Sequence, residues 1–194
     1  MSRRVWVLLL VAFAVGSVAT TVYLLRRPPP ASLANLETPS LRVGTQLEDI
    51  TGRNEKADVV RVQLRGTDRP TMLYIVTPAC SWCTRNRRNF AEIVRQRSGE
   101  YHIEFISLSE GGFSGYLHQL RPDWNDEHVT TLTSLPARTK AEMLLGPTPQ
   151  TIIIDRDGKV THNWVGAYTS NTLIAVENLF LLQMPGLVED PPRR

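Results

Sequence analysis

Cysteine is scarce in this chain: there are two among 194 residues, Cys80 and Cys83. Two cysteines exclude a disulfide-stapled scaffold, and a zinc ribbon would need a second Cys pair or two well-spaced histidines. His102, His118, His128 and His162 have no such spacing. The sequence therefore predicts no metal site and no cofactor. Acidic residues are missing from the first thirty positions, which hold Arg3, Arg4, Arg26 and Arg27. The formal net charge of +3 rests on those four; without them 18 basic residues face 19 acidic ones. The basic balance belongs to one end of the chain, and no DNA- or RNA-reading motif accompanies it, so no nucleic-acid partner is expected. Internal repeats are also absent.

Charge disappears altogether from Val5 to Leu25, a run of 21 residues. As a helix it would span roughly 31 Å, against a hydrocarbon core of about 30 Å. Trp6 and Tyr23 stand near its ends, where amphipathic aromatics favour the membrane interface. Residues 1–27 are thus predicted to be a signal-anchor, with the lipid bilayer as partner of 5–25. The competing reading is a cleaved signal peptide processed near Ser17-Val18-Ala19, against which the apolar run continues to Leu25. Arginines flank the span on both sides, so charge barely sets its orientation.

Pro28-Pro29-Pro30 opens a linker over 28–43, stiff at first because consecutive prolines favour an extended helix. A domain is predicted over 44–184, and a flexible tail over 185–194. Val59 to Leu64 is β-rich, and Gly66 to Pro70 reads as a turn. Met72 to Val76 is a continuous apolar run, the mark of a strand buried on both faces. A helical segment follows, with Phe90, Ile93, Val94 and Arg97 on one face and an end near Ser98-Gly99. Tyr101–Leu108 reads as a second buried strand, Ser114–Leu120 as a short helix after a Gly111-Gly112 turn, and Pro122–Glu127 as loop. Val129–Leu132 is a candidate strand and Ala137–Leu145 a helix stopped by Gly146 and Pro147. Asp157-Gly158, between two β-rich runs, signals a hairpin. A last helix starts near Ser170, with Leu173, Val176 and Phe180 on one face. Parallel strands joined by helices and ending in a hairpin predict a mixed three-layer α/β sheet.

The chemistry-bearing stretch is Thr77-Pro78-Ala79-Cys80-Ser81-Trp82-Cys83. It stands where the apolar strand meets the helix. There the first thiol meets unpaired backbone N–H groups and the helix dipole, which favour a thiolate. The second lies about one turn further in, within reach of a disulfide. Such a pair reads as a redox pair. Arg85, Arg87 and Arg88 would favour the thiolate further; alternatively they form a solvated basic face, with Glu92 pairing Arg88 at i, i+4. His162 and Trp164 read as half-buried sheet residues.

Cys80-Ser81-Trp82-Cys83, then Gly146-Pro147-Thr148-Pro149-Gln150-Thr151, then Asp155-Arg156-Asp157-Gly158-Lys159-Val160 together resemble the thioredoxin superfamily. More narrowly, with the anchor, they resemble the membrane-anchored TlpA/ResA-like thiol–disulfide oxidoreductases. The resemblance covers about 44–184 and implies a thioredoxin-like three-layer α/β/α domain behind one transmembrane helix. It also implies that Cys80 is the nucleophile, Cys83 the resolving thiol and Pro149 a cis-proline facing the pair. Thr148 would offer backbone hydrogen bonds to a bound peptide. Trp82, between the cysteines, lies in the path of any partner.

Several positions depart from the family pattern. Ala79 and Trp82 stand where many members have Trp and Pro. Tyr74 stands where thioredoxin-like reductases carry a buried acid, and Asn86 where ResA-like members carry Glu. A proton route would then pass through Glu92 or a bound water. The implied partners are protein thiols and disulfides, together with a membrane electron donor, and the implied place is the outer side of the cytoplasmic membrane. The implied direction is reductive, for instance toward apocytochrome thiols. Two alternatives carry different chemistry. A thiol peroxidase would show Pro-x-x-x-Thr-x-x-Cys, but position 73 is Leu. A copper-binding assembly factor would use both thiolates as soft ligands, and such carriers space their cysteines by three. A redox-inert interaction domain would have lost a cysteine.

Overall fold

The computed structural model describes residues 40–109, 113–120 and 128–189, all within the unit Pro39–Arg194. The predicted anchor, most of the linker, the Gly111-Gly112 turn, the loop Pro122–Glu127 and the end of the tail lie outside those residues. Among the described residues no helix is long and apolar enough to cross a membrane.

The sheet is built around β3 (Thr71–Val76), whose sequence TMLYIV carries no charge and is buried at all six positions. β4 (His102–Ser107) runs parallel to it on one side, and β5 (Val129–Leu132) runs parallel to β4. On the other side β6 (Gln150–Ile154) is antiparallel to β3, and β7 (Val160–Val165) is antiparallel to β6. The order is therefore β5-β4-β3-β6-β7. Each parallel neighbour needs a long crossover, supplied by helices: α1 (Ser81–Arg85) with α2 (Arg87–Arg97), and then α3 (Phe113–Leu120). After β5, α4 (Ala137–Glu142) leads back to β6; α5 (Ser170–Phe180) follows β7.

Side-chain alternation along β3 divides the core in two. Met72, Tyr74 and Val76 enter one cluster with Phe90, Ile93 and Val94 of α2, Phe113, Tyr116 and Leu117 of α3, and Val176 and Phe180 of α5. The face read from the sequence at Phe90, Ile93 and Val94 is thus the buried one. Tyr74 and Phe90 stack with ring centroids 4.2 Å apart, and Phe105 lies 5.8 Å from Tyr74. Each such ring contributes about 1.5–3 kcal/mol by leaving water. Leu73 and Ile75 point the other way, into a cluster with Ile50, Val62, Leu64, Leu135, Ile152 and Ile154.

That second face corrects the expected third layer. It is covered largely by a two-stranded antiparallel ribbon, β1 (Ile50–Arg53) and β2 (Val59–Val62), together with the segment before it. Helix α4 buries none of its own residues and contributes through the following Met143. The reason is compositional: ARTKAE offers only two alanines as apolar groups, too little to cover a sheet. α4 also stops before Leu145, because Leu144 takes a left-handed φ of 50° and Leu145 N–H donates to the Lys140 carbonyl.

The helix expected after the cysteines is two helices, broken at Asn86. The hairpin forms as predicted around Asp157-Gly158. Asp155 Oδ1 accepts from the backbone N–H groups of Asp157 (3.0 Å) and Lys159 (2.9 Å), and Gly158 adopts a φ of 88°. Both predicted domain edges move outward. Leu41 is buried and its carbonyl accepts from Asn163 Nδ2. Gly186 N–H donates to Asn89 Oδ1, and Val188 N–H to the Arg85 carbonyl. Residues 185–189, assigned to a flexible tail from the sequence, are therefore bonded to α1 and α2.

Candidate active site at the end of the central strand

β3 ends at Val76, and Thr77-Pro78-Ala79 turns the chain so that Cys80 N–H donates to the Thr77 carbonyl at 3.0 Å. Cys80 has extended backbone angles and is the N-cap of α1. Its Sγ accepts the Cys83 N–H at 3.0 Å. That amide also donates to the Cys80 carbonyl at 3.1 Å, so the sulfur in the capping position shares a donor of the first helical turn, which stabilises negative charge on it. A disulfide joins Cys80 to Cys83, with Cα atoms 5.2 Å apart. The two sulfur-bearing residues differ in access: Cys80 is half-buried, whereas Cys83 has 0% exposure and belongs to the core under α2.

The Thr148–Pro149 peptide bond is cis and faces this pair. Cys80 Sγ lies 3.3 Å from the Thr148 carbonyl oxygen. In the reduced protein a thiol proton can be donated there, while the thiolate accepts from Cys83 N–H. The two contacts favour opposite protonation states, so the sulfur sits where it can both hold and release a proton. Thr77 Oγ1 and Thr148 Oγ1 are 3.1 Å apart, linking the cysteine-bearing turn to the proline loop. Gly166 N–H donates to the Pro149 carbonyl at 2.7 Å, tying that loop to the end of β7.

Trp82 is 47% exposed beside Cys80, and the Arg85 guanidinium carbon lies 4.5 Å from the centroid of its ring. Arg88 is exposed. The expected Arg88–Glu92 pair is not the one formed: Glu92 binds Arg95 at 2.7 Å and also accepts from Gln96. Arg95 lies one turn further from the motif and reaches both carboxylate oxygens. These bonds hold the Glu92 carboxyl below its usual range. Glu92 spends its oxygens on its own helix, which argues against it as the proton route.

Sequence reasoning missed what Asn86 does. It is fully buried at the α1–α2 break: Nδ2 donates to Tyr74 Oη (3.1 Å), while Oδ1 accepts from Asn89 Nδ2 (2.9 Å) and Tyr168 N–H (3.1 Å). Tyr74 is buried in turn, and burial raises its phenol well above the ordinary value. Tyr74 and Asn86, where the resemblance leads one to expect acids, form a neutral bonded pair. The signal was the residue type itself, since a neutral amide can satisfy several buried groups where a carboxylate would only accept.

A buried acid does occur, on the other face. Glu104 pairs in register with Leu73 of the second cluster, and burial pushes its carboxyl up to about 8. The sheet separates it from Cys83, which lies in the first cluster. His162 is half-buried, with its ring centroid 5.1 Å from that of Trp164, as a sheet residue rather than a ligand would be. Among the described residues no group of three or more His, Cys, Asp or Glu is arranged to hold a metal ion.

No protein-family model matches the sequence, and no curated protein matches it. Solved structures do match. A candidate thiol:disulfide interchange protein DsbE from Chlorobium tepidum shares 19% identity at a TM-score of 0.56, over 73% of this chain and 97% of that one. A thiol:disulfide interchange protein from Bacteroides sp. shares 19% at 0.52, over 74% and 93%. A peroxiredoxin-like protein from Aquifex aeolicus shares 16% at 0.54, over 74% and 88%. At such identities the likeness is one of fold. The described domain has the thioredoxin fold, as the motifs implied. Within that fold the chain presents a Cys80–Cys83 disulfide opposite cis-Pro149.

Proposed function

We propose that this protein is a membrane-tethered thiol–disulfide oxidoreductase that exchanges disulfides with protein partners outside the cytoplasmic membrane, acting as a reductant. The observation that carries the exchange chemistry is the asymmetric pair: a reachable Cys80 capped by an amide donor, disulfide-bonded to a buried Cys83. In the reductive direction the Cys80 thiolate attacks one sulfur of a partner disulfide. A bond forms between Cys80 Sγ and that sulfur, and the other partner sulfur leaves as a thiolate and takes a proton from water. Cys83, having lost its proton, then attacks Cys80 Sγ. This forms the internal disulfide and releases the second partner thiol, so two electrons pass to the partner. A thiol donor must reduce Cys80–Cys83 again before the next cycle. Thr148 and Pro149 would hold the partner's extended backbone against the pair, and Trp82 would lie beside it.

Tethering rests on the uncharged run 5–25, and placement outside the membrane on the persistence of a disulfide-exchange couple in an oxidising compartment. A suitable client is a vicinal cysteine pair awaiting haem attachment, as in an apocytochrome c. The peroxidase reading lacks its upstream proline, since Leu73 is a buried strand residue at that position. The copper-carrier reading lacks a third donor among the described residues.

Equilibration of the protein with thiol buffers tests the reading. A potential near or below about −250 mV supports a reductant, one near about −120 mV makes it an oxidant, and no reversible couple rejects exchange altogether.

A further inference from the structure

The segment after α5 reaches back to the exchange motif. Leu181 ends the helix with a left-handed φ of 51°, while Arg97 donates to the carbonyls of Phe180 (2.8 Å) and Leu181 (3.3 Å). Leu182 and Met184 then enter the core beside α2. Met184 N–H donates to Glu177 Oε1 at 2.8 Å, and Gly186 N–H to Asn89 Oδ1 at 2.9 Å. Finally Val188 bonds Arg85 twice: its N–H donates to the Arg85 carbonyl at 2.8 Å, and its carbonyl accepts Arg85 Nε–H at 3.3 Å. The strap thus runs antiparallel to the helices, from Asn89 to Arg85, and arrives two residues beyond Cys83.

Arg85 is held on two sides. Its Nε–H goes to the strap, and its guanidinium carbon lies over the Trp82 ring, 4.5 Å from the centroid. A free arginine on a helix surface would give up about 2 kcal/mol of rotamer freedom to stack in one place. The backbone clamp meets part of that cost in advance and leaves a planar cation fixed over the indole. Trp82 remains 47% exposed, two residues after the motif's reachable cysteine.

We propose that Arg85, clamped by the C-terminal strap at Val188, is a positioning residue that fixes the Trp82 indole as a docking platform for the polypeptide flanking a partner's disulfide. The proposal rests on the exchange reading above. A small disulfide reaches Cys80 Sγ without using the platform, whereas a polypeptide disulfide must lie along it. The strap therefore governs recognition of the partner rather than the intrinsic reactivity of the sulfur.

The test uses the full-length chain carrying 5-fluorotryptophan, with the Trp82 fluorine resonance assigned by Trp82→Phe. Arg85→Lys keeps the charge but removes the planar stack and the Nε–H bond. Val188→Pro removes the strap's N–H while leaving Arg85 in place. In both variants the Trp82 resonance is expected to move. KM for a polypeptide disulfide should rise about fivefold, the order set by a partly exposed cation–π contact, with kcat little changed. The rate with 5,5′-dithiobis(2-nitrobenzoate) should stay within about twofold, and adding Arg85→Lys to Trp82→Ala should raise KM no further than Trp82→Ala does alone. An unmoved resonance in both variants overturns the proposal, as does an equal slowing with small and polypeptide disulfides. If the wild-type chain exchanges with neither substrate, the exchange reading falls, and the fluorine resonance alone decides whether Arg85 and Val188 hold Trp82.

Discussion

Asn86 Oδ1 accepts the backbone N–H of Tyr168 at 3.1 Å, joining the break between α1 and α2 to the chain that follows β7. The same side chain donates to Tyr74 Oη and accepts from Asn89, so one amide holds the active-site helix, the central strand and the post-hairpin loop together. All of these groups are buried, and each left without a partner costs about 1–3 kcal/mol. Asn86→Ala is therefore expected to lower unfolding free energy by roughly 2–4 kcal/mol in denaturant titrations. A loss below about 0.5 kcal/mol, the usual range for surface substitutions, would show that the network carries no weight.

The central strand, the cysteine-bearing helix and the hairpin were legible in the sequence because each has a local cause. TMLYIV can only be buried on both faces, Phe90, Ile93 and Val94 recur at helical spacing, and Asp157-Gly158 closes a turn by its own bonds. The cysteines and Thr148-Pro149 were legible for a different reason, as a spaced motif that the fold then brought to one place. What escaped the sequence depends on long-range partners. Ile50–Arg53 pairs with the β-rich Val59–Val62 as a ribbon only because the second face of the sheet needs a cover that α4 cannot supply. Pro185 to Glu189 looks like a short proline-flanked tail, and nothing local shows that Asn89 and Arg85 wait for it 97 and 103 residues away.

Glu104 gives the domain a pH dependence of definite sign. Its carboxyl titrates at about 8 in the folded protein, against an ordinary value of 4.5, with burial the main cause and a hydrogen bond from Thr130 opposing it. The folded state therefore holds a proton that the unfolded chain has lost between those two values. This contribution to stability is complete below about pH 4.5 and is lost as pH rises through about 8, at up to about 1.4 kcal/mol per pH unit. Glu104→Gln keeps the shape and removes the titration. Its unfolding free energy is expected to fall less steeply than that of the wild type between pH 5 and 8. Parallel profiles for the two proteins would mean that Glu104 is ionised in the fold.

Gly158 has a φ of 88°, and a Cβ there would lie 2.4 Å from Arg65 Cγ and 3.0 Å from the Leu47 carbonyl. Backbone strain and the clash with a carbonyl both oppose a side chain, although the arginine stem can shift. Gly158→Ala is expected to cost about 1–3 kcal/mol. The loss should appear as a lower denaturation midpoint with an unchanged denaturant slope, since the hairpin turn strains while the unfolded chain exposes the same surface. A neutral substitution would show that the turn relaxes around the new methyl group.

The division of labour between the cysteines is open to direct chemical measurement. Cys83 is fully buried in the core beneath α2, while Cys80 is half-buried and its Sγ accepts an amide proton from the helix. Alkylation requires both a thiolate and a path for the reagent. After reduction, iodoacetamide should therefore modify Cys80 on the order of ten times faster than Cys83, read by mass spectrometry of the separated peptides. The pH midpoint of the Cys80 rate should fall below the ordinary thiol value of about 8.5, because the Cys83 N–H stabilises the anion. A midpoint at or above that value would mean that the Thr148 carbonyl, 3.3 Å from the sulfur, dominates and holds the proton. Equal rates at the two cysteines would reverse the assignment on which the exchange cycle depends, because a resolving thiol as reachable as the nucleophile gives a partner two points of attack and no fixed order of steps.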